Sequence, residues 1–501
     1  MHRLVMKLAL ILPLLLTPCL AAQEVPKQYD MRKTGGVTPI KAQRYGTCWT
    51  HGTIAAIESN LIVSGTWKKI GGKDLPLLSE YHLDWWNGFN RHKNDDLEDT
   101  AKSLTGLTVH QGGDYRVSAA YISRGDGVVV APRKPDNTVD LGWVEKAPDL
   151  KHPEYKKFYV RDIEWFTIGD NLDNIDVIKR RMMTEGAMGT AFAVNKGLMS
   201  KDFVHYQPKQ HASKPNHAVA IAGWDDEKVS ADPDKKTPKA GAWLIKNSWG
   251  TERTITKKDK DGKSTTTKTP VGEQGYYWIS YYDKVCCRDP EMGAVSFRNV
   301  EPMKYQHVYF HDYHGWRATL KDIGKACNVF KATGKQAITS LSFYTAADNV
   351  KYTASVYSKL DKGQLVGLRA TKSGEMRFTG FHTIDLEQAV RVDKDETIIV
   401  CVEVSAGGQA IDRTSEIEVL LQPEPKKVEP KKVEEKKPAP KGPRGPNGGP
   451  IVVSKANPGE SFWFDGTEWR DLYEHRFDNP AWATFERTAN FCMKALAVDA
   501  K

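Results

Sequence analysis

Gln43-Arg44-Tyr45-Gly46-Thr47-Cys48-Trp49 is the stretch on which the reading of this 501-residue chain turns. It puts a cysteine at the start of a helix-like pattern, with Ile54, Ile57 and Leu61 recurring at helical spacing behind it. A thiol at a helix N-terminus faces the positive end of the helix dipole. That field favours the thiolate, the form of cysteine that acts as a nucleophile. A thiol at neutral pH is mostly protonated and needs a partner base.

Far downstream, His217-Ala-Val-Ala-Ile-Ala-Gly-Trp224 and Trp243-Leu-Ile-Lys-Asn247 read as strands. The first would fix an imidazole and the second would deliver a side-chain amide. An amide oxygen that accepts from one ring nitrogen of His217 selects its tautomer and aims the other nitrogen at sulfur. Trp249 is placed to shield that bond from water. Gln43 lies just upstream of the thiol, where its amide N–H and the Cys48 backbone N–H would face the oxyanion of a tetrahedral intermediate. A lone buried cysteine or strand histidine is more often packing than chemistry. The ordered set Gln43, Cys48, His217 and Asn247 is read as thiol-based acyl transfer because each member has a defined task in it.

At these residues the chain resembles the papain-like cysteine peptidases. The matching stretches are Gly36-Val-Thr-Pro-Ile-Lys-Ala-Gln43, Gly46-Thr-Cys-Trp49, Leu78-Ser-Glu80, Gly112-Gly113, Asn216-His-Ala-Val219, Lys246-Asn-Ser-Trp-Gly250 and Gly272-Glu-Gln-Gly-Tyr276. The resemblance implies Cys48 as nucleophile, His217 as general base and acid, Asn247 as orienter and Gln43 as oxyanion donor. It places Gly112, Gly113, Asn216 and Trp249 on the substrate side, the glycines forming a wall that a peptide backbone can approach closely. It also implies a thiolate–imidazolium pair well below pH 7. The chain departs from the family at Tyr45, where a disulfide-forming cysteine is usual, and in a Gln43-to-Cys48 loop one residue shorter. Thr50-His51 replace the common Ala-Phe after Trp49, and His51 is expected to face a neighbouring wall. A long N-terminal pro-segment is usual in the family, whereas Tyr29-Asp-Met-Arg32 here follows the apolar leader almost directly.

From about residue 303 the pattern changes to short alternating strands, among them Ser340–Thr345, Thr353–Tyr357, Phe381–Leu386, Thr397–Val404 and Ser461–Phe464. With Asn328-Val-Phe330, Pro458-Gly-Glu-Ser-Phe462, Trp469-Arg-Asp471 and Asn490-Phe-Cys-Met-Lys494, this half is similar to the lectin-like domains of some microbial papain-family surface proteins. The name describes shape, and sugar binding does not follow from it. The expected fold class is α+β, a two-lobed papain-like domain at 23–300 followed by an all-β sandwich at 301–501. A Pro/Lys-rich insertion at 422–450 is read as an extended, disordered loop within the sandwich.

Residues 1–22 read as a cleaved secretory signal, Arg3 and Lys7 preceding the apolar Leu8–Leu16 run. This points to a secreted, cell-surface or periplasmic protein with no transmembrane segment. The net charge of +9 is concentrated in lysine-rich stretches at 257–263 and 426–441, with no motif for nucleic acid, so nucleic-acid binding is not expected. Charged stretches at 225–239 and 251–269 read as exposed insertions near the His217–Asn247 side. With Cys48 kept as a thiol, Cys286, Cys287, Cys327, Cys401 and Cys492 allow two bridges at most. Neither a CxxC pattern nor the spacing of His307, His311 and His314 supports a metal site, and no cofactor is expected. The expected partners are a protein or peptide substrate and a cell-surface or glycan contact through the second half. The alternatives are a cell-wall transpeptidase or amidase using the same residues, and a catalytically silent adhesion protein.

Overall fold

A helix buried on every side must find a partner for each polar side chain it carries, and Cys48–Val63 is such a helix. The apolar residues expected to form one stripe are joined in the interior by Thr50, His51, Thr53, Glu58, Ser59 and Asn60. Their partners come from every surrounding element. Thr53 bonds Ser118 on the helix Tyr115–Ser123 at 2.8 Å, Ser59 donates to the Gly36 carbonyl at 2.6 Å, and Asn60 donates to the Glu185 carbonyl at 2.8 Å. Gly52 lets the strand that begins at His217 come close, because a Cβ there would stand 3.3 Å from the Val219 carbonyl oxygen.

The computed structural model describes residues 24–98, 105–131, 142–230, 239–258, 264–421, 443–477 and 486–500. The expected leader at 1–22 lies outside them, as does most of the Pro/Lys tract. The helical lobe of the first half, with Glu80–Trp86 and Tyr115–Ser123 beside the central helix, faces a lobe built on His217–Ser230, Lys239–Lys246 and Tyr276–Ser280. These strands belong to a 12-stranded sheet that continues through Met188–Phe192, Ala294–Pro302 and Phe158–Phe166 into the second half. There it runs on through Gly380–Val392, Gln336–Thr345 and Met493–Asp499. The strand Ala294–Pro302 thus spans the expected boundary at 300/301.

A 6-stranded sheet closes the second half. Gln364–Met376, Val350–Asp361, Thr397–Val404, Lys325–Lys331, Ser461–Phe464 and Trp469–Asp471 lie side by side in that order. Ile338, Leu341 and Phe343 from the large sheet meet Val356, Val400 and Val402 from this one in a shared core. The fold class is therefore α+β followed by a β-sandwich.

One expectation needs correction. Residues 443–450 are not part of a disordered loop. Arg444 and Pro450 pair across a turn, and the Glu416 carboxylate accepts from the backbone N–H groups of Asn447 and Gly449 at 3.1 and 2.5 Å. A Gly/Pro-rich turn with a carboxylate to satisfy its amides holds one shape. Among the described residues Cys48, Cys286, Cys287, Cys327, Cys401 and Cys492 are all buried and form no disulfide, within the two bridges the sequence allows, and the Cys286 and Cys287 sulfurs lie 3.8 Å apart. The described residues of the stretch at 251–269 are mostly exposed and form paired strands, Glu252–Lys258 against Ser264–Pro270.

Glu58 is the most demanding group in the central helix. Its carboxylate takes Lys41 at 2.6 Å, Thr38 at 2.5 Å and the Leu78 N–H at 2.7 Å, and Lys41 also reaches Glu80 at 2.5 Å. Burial opposes the Lys41 ammonium, but Glu58 and Glu80 outweigh it and raise its pKa. Removing one partner from such a buried set leaves a charge without compensation, at a cost of about 3–5 kcal/mol. Glu58→Ala should therefore lower the unfolding free energy by that amount in denaturant titration, and Lys27→Ala, whose partner Glu227 is exposed, by less than about 1 kcal/mol.

Candidate active site

The imidazole of His217 is set by its neighbours rather than by its own backbone. Asn247 Oδ1 accepts from the Ser248 backbone N–H at 2.8 Å, which fixes which end of the amide faces the ring. The same oxygen then accepts from His217 Nε2, also at 2.8 Å. An oxygen that only accepts requires the ring proton on Nε2. Nδ1 is buried, makes no hydrogen bond, and in the neutral ring carries the lone pair of a base. Trp249 stacks on the imidazole with centroids 4.6 Å apart and an interplanar angle of 23°, covering the bond as expected.

Cys48 is the first residue of the central helix and is fully buried. It shares one continuous buried cluster with Trp49, Ala218 and Leu420, so the thiol and the start of the His217 strand line the same interior. Gln43 is firmly held: its backbone N–H donates to the Ser248 carbonyl at 2.7 Å and its Oε1 accepts from Ser248 Oγ at 2.7 Å. Its Nε2 donates to the Tyr45 carbonyl at 2.8 Å, inside the shortened loop. Tyr45 takes a left-handed conformation there, with φ 57°.

Gly112 and Gly113 stand beside the thiol. A Cβ on Gly113 would lie 2.6 Å from the Trp49 indole, and one on Gly112 would meet the Val419 side chain at 2.3 Å. Asn216 is half-buried, and its side-chain oxygen accepts from the Val194 N–H at 2.9 Å and shapes its own loop. His51 is buried, its Nδ1 on the Thr47 carbonyl at 2.8 Å and its ring beside Tyr81.

Sequence reasoning missed Leu420. Its carbonyl oxygen lies 3.8 Å from Cys48 Sγ and its N–H donates to the Gly113 carbonyl at 3.0 Å. The apolar Val419-Leu-Leu421 run just ahead of the Pro/Lys tract, outside any expected strand, was the available signal.

The three histidines near 310 are separate. His307 pairs with Asp499, and His311 with the Val329 carbonyl. His314 shares a pocket with Asp96 and Asp412 whose ligand-type atoms lie within 4.8 Å of one another. There His314 Nδ1 bonds Ser454 at 2.9 Å and Nε2 the Gly88 carbonyl at 3.1 Å, so both ring nitrogens are already used.

Burial pushes the His217 pKa down to about 4, against the raising effect of Asn247. Burial disfavours the charged ring because water cannot reach it to solvate the charge. An unfolded histidine titrates near ~6.5. Below that pH the unfolded chain binds a proton that the native site refuses, so the contribution of His217 to stability is complete above about pH 6.5 and falls away towards pH 4. Unfolding free energies of the protein and of His217→Gln, measured from pH 7.5 to 4.5, should diverge on acidification, the unsubstituted protein losing more. Parallel curves would contradict the buried neutral ring.

Residues 25–83 and 111–255 match the papain family cysteine protease family, and residues 308–425 match the lectin-like domain family. Among curated relatives, human (Homo sapiens) cathepsin L2 is 23% identical over 234 residues, 46% of this chain and 58% of its own length. The probable cysteine protease RD19B of Arabidopsis thaliana is 24% identical over 282 residues, 56% of this chain and 64% of its own. The chain thus spans less than two thirds of these relatives. A solved structure of the cysteine protease and lectin-like domains of Cwp84, a surface layer associated protein of Clostridium difficile, superposes with a TM-score of 0.62 at 19% identity. That superposition covers 96% of this chain and 90% of the other, a likeness of fold. A second Cwp84 structure, of a cysteine-to-alanine variant after propeptide cleavage, gives a TM-score of 0.63 at 20% identity, covering 94% of this chain and 99% of the other. With a protease-family match on the two-lobed half and a lectin-like match on the sandwich, the chain carries a papain-family peptidase domain followed by a lectin-like domain.

Proposed function

We propose that the protein is a cysteine endopeptidase working outside the cell, with the lectin-like half serving to anchor it or to capture substrate. The observation that carries the reading is the His217–Asn247 pair under Trp249, whose buried Nδ1 makes no hydrogen bond among the described residues, together with a Cys48 thiol buried at its helix N-terminus. In this reading His217 Nδ1 takes the thiol proton as Cys48 Sγ attacks the carbonyl carbon of a peptide. The C–O π pair moves to oxygen, facing the Cys48 N–H and Gln43. Collapse breaks the C–N bond, and the amine leaves with the proton from His217. Water, deprotonated by the same nitrogen, then attacks the thioester and releases the acid and the free thiol.

Placement outside the cell rests on the expected leader and on the surface-layer association stated for Cwp84. No helix among the described residues is long and apolar enough to cross a membrane.

Cys48→Ala and His217→Ala should each abolish turnover of a peptide library, whereas Asn247→Ala should leave a partial rate, because losing the orienter degrades geometry without removing the path. Gln43→Ala should cost roughly 10–1000-fold in kcat, the low end applying if the tie to Tyr45 persists and the backbone N–H carries the oxyanion. Full activity of purified Cys48→Ala would overturn the mechanism. Products carrying an added amine in place of hydroxide would favour transpeptidation, and failure of a peptide vinyl sulfone to label Cys48 would favour a silent adhesion protein.

A further inference from the structure

The groove beside the thiol is already filled by the chain itself. Ser415–Glu416 pairs with Ile451–Val452 at the edge of the sandwich, and Ile417 donates its N–H to the Pro450 carbonyl at 3.0 Å. From that mooring Val419-Leu420-Leu421 crosses the glycine wall. Leu420 forms an antiparallel bridge with Gly113, and its side chain is fully buried in the cluster that contains Cys48 and Trp49. Leu421 lies so close to Gly46 that a Cβ there would stand 2.2 Å from its Cδ1. Cavities of about 690 and 340 Å³ flank the segment, and Val419 lines both.

We infer that Val419–Leu421 is an autoinhibitory strap: the lectin-like half holds the protease half latent by laying its own backbone where a substrate peptide would pair with Gly113. The inference rests on the peptidase reading only for what is inhibited; the occlusion of Cys48 stands on geometry. One backbone hydrogen bond and one buried leucine would bind weakly as a free peptide. Attached to a fold that already docks against the groove, the same contacts act at an effective concentration in the millimolar range or above. A substrate then meets a site competent only in the fraction of molecules whose strap has left, and its apparent affinity is lowered by that fraction.

The test uses the full chain and two variants. Leu420→Pro removes the N–H that bonds Gly113, and Leu420→Gln keeps the backbone while making the buried side chain polar. Iodoacetamide labelling is followed at each cysteine by mass spectrometry, alongside kcat/KM on a short fluorogenic peptide. At least one variant should label Cys48 about tenfold or more faster than the unsubstituted chain, while buried Cys286, Cys287 and Cys327 stay protected and report an intact fold. A synthetic Ile-Glu-Val-Leu-Leu peptide should slow that labelling again. Faster labelling with matching kcat/KM gains supports both readings, and faster labelling without turnover supports the strap while sinking the peptidase. Equal Cys48 labelling in all three chains would overturn the strap, whether or not peptides are cleaved.

Discussion

The Glu58 carboxylate, buried in the middle of the central helix, is the group on which the geometry of the first half depends. It draws Thr38 and Lys41 from the segment before the helix and the Leu78 backbone from the segment after it, and Lys41 carries the connection to Glu80. A buried charge cannot tolerate slack, since each lost partner costs several kcal/mol. The segment that Lys41 pins is the one that runs directly into Gln43, and the helix that Glu58 belongs to begins at Cys48. Stiffness imposed in the interior of the helix is thus delivered to the thiol and to the amide beside it.

The opposite wall is held by a different logic. Gln43 and Asn247 are both tied to Ser248, the first through its backbone N–H and side-chain oxygen, the second through the Ser248 N–H. One residue therefore couples the loop before Cys48 to the amide that holds the His217 imidazole. Tyr115 adds a brace behind them, its hydroxyl donating to the carbonyls of Thr190 and Val219 at 2.9 Å each, which ties the helical lobe to two strands of the other lobe. Polar groups in such a network act as a unit, so displacement of one is felt by all.

The two halves share more than a linker. A sheet that runs from the His217 strand to the terminal strand Met493–Asp499 makes the sandwich a continuation of the protease half, and the turn at 443–450 returns to Glu416 beside the groove. Continuity of hydrogen bonding across the strands gives the second half a fixed position from which a short segment can reach Gly113 without searching for it.

The sequence by itself determined the class of each half and the order in which the candidate residues occur. The order Gln43, Cys48, His217, Asn247 with its flanks, and alternating runs such as Phe381–Leu386 and Thr397–Val404, are local patterns, and all of these strands are present. Local patterns also showed the glycines at 112 and 113, because a close backbone approach leaves only glycine. Only the tertiary structure decided that Leu420 is the residue covering Cys48, 372 positions away in the chain. It also decided that Glu58 is buried with Lys41, that the described cysteines form no disulfide, and that burial lowers the pKa of His217. Each of these is a property of which surfaces meet once water has been excluded. A short apolar run such as Val419–Leu421 carries no sign of its partner, and a glutamate in a helix pattern looks solvent-facing until the fold surrounds it.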